Sequence, residues 1–93
     1  MIIINQDKDE IINFDNVMNI NIMDCKEEGY LISAGFIVGR DDNYRELGYY
    51  ATEERAKEIL LDIVDAYSKI GIVINTYNGE QVQQLPVYEM PED

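Results

Sequence analysis

The chain has no histidine at all and a single cysteine among 93 residues. Without histidine there is no imidazole base, no member of the commonest zinc-ligand class, and no Ser-His or Cys-His nucleophile pair. With Cys25 alone no intrachain disulfide can form, which suits a reducing cytoplasm. Positive charge is scarce too. Seven Lys and Arg face 19 Asp and Glu, for a formal net charge of -12. Such a field repels nucleic acid and anionic membranes and attracts basic protein surfaces. Long apolar runs are missing: Ile2-Ile3-Ile4 is far too short to span a bilayer, and no basic region precedes it as in a signal peptide. Glycine-rich phosphate loops, CxxC pairs and GxSxG elbows are also absent. The expectation is a non-enzymatic protein without cofactor or metal, with no direct nucleic-acid or membrane binding.

What is present describes one α+β domain over residues 1–93. Short apolar strands are expected at Ile2–Ile4 and Glu10–Phe14, around the polar turn Asn5–Asp9. Val17–Met23 alternates with period two, Met18, Ile20 and Ile22 facing one way and Asn19 and Asn21 the other. Tyr30–Val38 and Tyr44–Ala51 follow as strands, with Gly35 a candidate bulge. In the latter, Leu47, Tyr49 and Ala51 fall on one face, and Tyr44, Glu46 and Tyr50 on the other. Together these form an antiparallel meander of about five strands.

The clearest element is a helix. Thr52 is a good N-cap, and Glu53 and Glu54 suit the positive end of the helix dipole. Ala56, Ile59, Leu60, Ile63, Tyr67 and Ile70 recur at three- and four-residue steps, giving one apolar face to pack across the sheet. Gly71 stands where a C′ glycine would end the helix. Beyond it, Ile72–Tyr77 and Gln81–Leu85 flank Asn78-Gly79, a hairpin signal, and Pro86–Met90 reads as a C-terminal edge strand.

Two clusters carry candidate binding chemistry. The outer helix face bears Glu54, Glu58, Asp62 and Asp65, which with Asp41 and Asp42 in a preceding turn make an acidic surface suited to a basic protein. Its bland counterpart is an ordinary solvated helix face. The second cluster is Arg40, Arg45 and Arg55 with Tyr44 and Tyr50, which together suit a phosphate gripped beside a stacked base, as in an oligomeric binder of an anionic signalling nucleotide. Its counterpart is local pairing of the arginines with nearby acids. The turn Asn5–Glu10 has the beginnings of a calcium loop, but Glu10 stands where that loop needs glycine and Asn16 where it needs glutamate. A self-associating structural or regulatory module, a homodimer or larger, is a third reading.

The segments Ile2-Ile-Ile-Asn-Gln-Asp-Lys8, Ile12-Asn-Phe-Asp-Asn-Val17, Leu47–Leu60 and Val87-Tyr-Glu-Met-Pro91 resemble a group of short uncharacterised proteins from phages and prophages of low-GC Gram-positive bacteria. The resemblance brings no catalytic or binding residues. It implies a small accessory protein in the bacterial host cytoplasm, of a kind that often antagonises host defence. A basic host protein, such as a CRISPR effector, is then the expected partner of the acidic surface.

Overall fold

A computed structural model describes residues 1–38, 41–76 and 87–93, with side chains left out at 37, 38, 41, 42 and 70–76. The elements run β1 (Ile2–Ile4), β2 (Ile11–Asn13), β3 (Asn19–Asp24), β4 (Tyr30–Val38), β5 (Asp41–Tyr50), α1 (Glu53–Thr76) and β6 (Val87–Glu89). The α+β class, the five N-terminal strands, the single long helix and the C-terminal edge strand are all present. Among the described residues the strands divide into two sheets of three, ordered β2-β1-β6 and β3-β4-β5. Strands β1 and β2 pair antiparallel, whereas β6 returns parallel to β1 at the far edge of the small sheet.

Local chemistry explains the turns. The side chain of Asn5 accepts from the backbone N–H groups of Asp9 and Glu10, both at 3.1 Å, and donates to Asp9 at 2.8 Å. One asparagine thus closes the β1–β2 turn. Asn13 caps the 3-10 turn Phe14–Asn16 by accepting from Asp15 N–H at 3.0 Å. The β3–β4 turn ends at Gly29, whose φ of 99° is open to glycine and strained for other residues.

The bulge lies on β5, not at Gly35. Ile32 pairs with Gly48 and Ser33 with Glu46, leaving Leu47 as the extra residue. An inserted residue reverses the facing of everything beyond it. Leu47 and Tyr50, three apart, therefore both enter the core, at 1% and 2% exposure. Tyr49 pairs with Leu31 and joins Tyr44 and Glu46 on the outer face, correcting the simple alternation read from sequence.

The core lies where both sheets meet the helix. Ile3 and Ile12 of the small sheet, Ile32 and Ala34 of β4, Leu47 and Tyr50 of β5, and Ala56, Ile59 and Ile63 of α1 are buried together with Met1 and Met90. Burying each large aliphatic side chain contributes roughly 1.5–3 kcal/mol before entropy is subtracted. Gln6 ties the sheets at the bulge: its backbone N–H donates to Leu47 C=O, and its side chain bonds both backbone groups of Tyr49.

The helix does not stop at Gly71. It continues to Thr76, 24 residues in all, so Ile72–Thr76 are helical rather than the first strand of a hairpin. Glycine inside a helix costs only about 1 kcal/mol relative to alanine, and the β-branched run after it adds tenths per residue. No proline intervenes before Pro86. The Asn78-Gly79 turn expected from sequence lies outside the described residues.

Candidate functional site

Thr52 starts α1 as its sequence position suggests, its hydroxyl accepting from Arg55 N–H at 3.1 Å. From there Glu54, Glu58, Asp62 and Asp65 are all exposed. Their spacing of four, four and three residues keeps them on one stripe of the helix. Three local ion pairs trim this field. Arg55 lies 3.4 Å from Glu58, Lys57 3.8 Å from Glu53, and Lys69 2.8 Å from Asp65. The hydrogen bond to Asp65, and then its charge, raise the Lys69 ammonium pKa. Among the described residues, Glu54 and Asp62 have no cation within 4.0 Å.

The stripe is not purely acidic. Leu61 is 68% exposed and Val64 59% exposed; Leu61 has Glu58, Asp65 and Lys57 within one turn, and Val64 follows it one turn on at the edge of the stripe. Leu61 falls outside the three- and four-residue series that marks the core face, and that offset is the sequence signal for it. An exposed leucine and valine flanked on one side by carboxylates put apolar contact area beside charge, as protein interfaces commonly do. Asp41 and Asp42 begin β5, and their side chains lie outside the described set.

In the arginine cluster, Arg45 and Arg55 each meet an acid. Arg45 sits 3.4 Å from Glu10 of the small sheet. Arg55 is engaged by Glu58 and by the Asp93 backbone carbonyl, to which its Nε donates at 3.1 Å. Between Arg45 and Tyr50 alone the strand advances about 16 Å, before the helix begins. Tyr44 is exposed but points to the sheet face opposite Arg45, since adjacent strand residues alternate. Tyr50 is buried, its hydroxyl donating to Pro91 C=O at 2.7 Å, so its ring offers no face to a base. Burial, and then the neighbouring Tyr88, push its phenol pKa up to about 12, Arg55 opposing. Arg40 lies outside the described residues.

The Asn5–Glu10 turn is held by its own asparagine, and among the described residues no group of three or more Cys, Asp or Glu is placed to hold a metal ion. Among the described residues no helix is long and apolar enough to cross a membrane. No protein-family model, curated protein or solved structure matches the chain.

Proposed function

We propose that this chain is a non-enzymatic binding protein that engages a basic surface of a host protein through the outer stripe of α1. The observation that carries this reading is the combination on one rigid helix of Glu54, Glu58, Asp62 and Asp65 with exposed Leu61 and Val64. The acids supply steering and register toward Lys and Arg, and the two aliphatic side chains supply desolvated contact area. A phage-borne antagonist of a nucleic-acid-handling defence enzyme is the biological role we assign it. Such enzymes present basic channels, and a net charge of -12 complements them.

The test is capture from bacterial host lysate on the immobilised chain, at low and at high salt. A partner retained at low salt should be released by salt, by the double variant Glu54→Lys with Asp62→Lys, and separately by Leu61→Ser. A partner indifferent to all three changes, or no retained partner at low salt, refutes the reading.

A further inference from the structure

A second surface stands apart from the helix stripe. Among the described residues strand β2 is an edge of the small sheet with no further strand beside it. Asn5 N–H donates to Glu10 C=O and Phe14 N–H donates to Met1 C=O. In an antiparallel ladder the groups of alternate residues face the partner strand, so Ile12 faces β1 while Ile11 and Asn13 present their N–H and C=O groups outward. Among the described residues Ile11 N–H, Ile11 C=O and Asn13 N–H meet no hydrogen-bond partner, whereas Asn13 C=O accepts from Asn16 N–H as the cap of the 3-10 turn Phe14–Asn16. An unpaired edge of this kind is a template for another strand.

The edge opens onto a cleft rather than onto flat surface. The cleft measures about 520 Å³ and is lined by Glu10, Ile11, Ile12, Asn13, Phe36 and Arg45, with Asn16 at one side. Its volume falls within the usual range of ligand sites, about 300–1,000 Å³. Its far wall is the end of the large sheet's inner face. Arg45 pairs across from Ala34, and Phe36 lies two residues further along β4, so both share the core-facing side. Among the described residues the small sheet is three strands wide and leaves these two residues half-covered or exposed. A strand added to β2 would extend the small sheet over them.

We infer that the β2 edge binds an extended, basic peptide segment by strand addition. This rests on the reading that the partner is basic, and it adds a second contact to the helix stripe. Backbone pairing with Ile11 and with the Asn13 N–H supplies affinity, and pockets for alternate side chains supply selectivity. Glu10 and Ile12 share the inward face of β2, so the inward residues of the added strand meet Phe36 and Glu10. An apolar residue suits the first and a lysine or arginine the second. Arg45 is already held by Glu10 at 3.4 Å with both side chains partly exposed, so an incoming cation competes for the same carboxylate. A second copy of this chain is disfavoured as occupant by like charge, -12 on each.

The experiment uses the full chain and the blocked peptide acetyl-Thr-Val-Thr-Lys-Thr-amide, followed by amide NMR. Sister peptides carry Glu or Ser in place of Lys, and one is N-methylated on alternate residues to remove its pairing edge. The Lys peptide should shift the Ile11 and Asn13 amides and slow their hydrogen exchange. N-methylation should abolish this, and Glu10→Gln should weaken it about two- to fivefold. Arg45→Ala should strengthen it by a similar factor, since it frees Glu10. Ile11→Pro removes one edge donor without touching the β1 ladder and should abolish binding, whereas Ile11→Ala should keep it. Glu54→Lys with Asp62→Lys should leave these shifts in place, which separates this site from the helix stripe. The inference is overturned if no peptide shifts those amides, if the Glu peptide binds as well as the Lys peptide, or if N-methylation changes nothing. It is equally overturned if the same amides shift with protein concentration alone, since a second copy then fills the edge.

Discussion

Gln6 offers the sharpest test of how this fold is held together. Its side-chain nitrogen donates to Tyr49 C=O at 2.9 Å and to Glu92 C=O at 2.7 Å, and its side-chain oxygen accepts from Tyr49 N–H at 2.8 Å. The amide thus imitates a pairing strand at the edge of β5, just past the bulge, and holds the C-terminal tail at the same time. Each bond contributes about 1 kcal/mol net, and the one to Glu92 less because it is exposed. Gln6→Ala should therefore cost about 2 kcal/mol, or on the order of 10 °C in Tm for a domain of this size. Gln6→Glu is more informative. A carboxylate can still accept from Tyr49 N–H, but it turns its other oxygen toward two carbonyls. Its folded-state pKa should then be raised above the unfolded value. The protonated acid restores one donor, so the stability of this variant should be highest below the unfolded pKa, near 4.3, and fall as pH rises through the folded value. Chemical denaturation of wild type and both variants between pH 3.5 and 7 measures this. A Gln6→Glu variant as stable as wild type at neutral pH, or one that gains stability with rising pH, refutes the reasoning.

Other changes follow from the same geometry. With its phenol pKa raised from 10.0 to about 12, Tyr50 should remove about 2 kcal/mol of stability as pH rises through that window, because the unfolded chain releases its proton first. Tyr50→Phe should shrink the alkaline loss, the raised phenols of Tyr49 and Tyr88 keeping a remainder, while losing about 1 kcal/mol with the bond to Pro91, both read from denaturation midpoints against pH. Gly29→Ala should cost about 2–3 kcal/mol, since φ is 99° and a Cβ there would meet the Tyr50 backbone oxygen at 2.5 Å. Ile59→Ala, at a fully buried helix position, should cost roughly 2–5 kcal/mol in the same assay, and a loss below 1 would mean that α1 is not seated as described.

The parts of this fold governed by local rules could be read from the sequence. The period-two strands, the Thr52 cap and the core stripe Ala56, Ile59 and Ile63 depend on neighbours within a few residues. The parts set by distant partners could not. Nothing near Leu47 announces a bulge; it exists because β4 and β5 must satisfy both their own pairing and the packing of Leu47 and Tyr50 under the helix. The parallel pairing of β6 with β1 joins residues more than eighty positions apart. Gly71 is a permissive residue, and permission to end a helix does not end one. The arginine reading turned on partners that local spacing does not reveal: Arg45 pairs with Glu10 of the other sheet, and Tyr50 is turned into the core by the bulge. Leu61 is one position off the buried series, so its hydropathy alone does not distinguish it from the half-buried Leu60 beside it.

Asp62 joins stability to function most directly. It sits in mid-helix, where aspartate is a poor former, four residues from Glu58 with its like charge. It is too far from the N-terminus to gain from the helix dipole, and no cation lies within 4.0 Å among the described residues. Its charge also raises the pKa of the Tyr88 phenol, after the larger effect of burial. By every local account Asp62 weakens the free protein. Asp62→Ala should therefore raise stability by about 0.5–1 kcal/mol, seen as several degrees in Tm. If the outer stripe of α1 is the binding surface, the same substitution should weaken retention of the basic partner and flatten its salt dependence. A residue kept for binding at the expense of stability should show both effects together. Gain in Tm with retention unchanged would place the contact elsewhere, and loss of Tm would mean that Asp62 has a stabilising partner this structure does not contain.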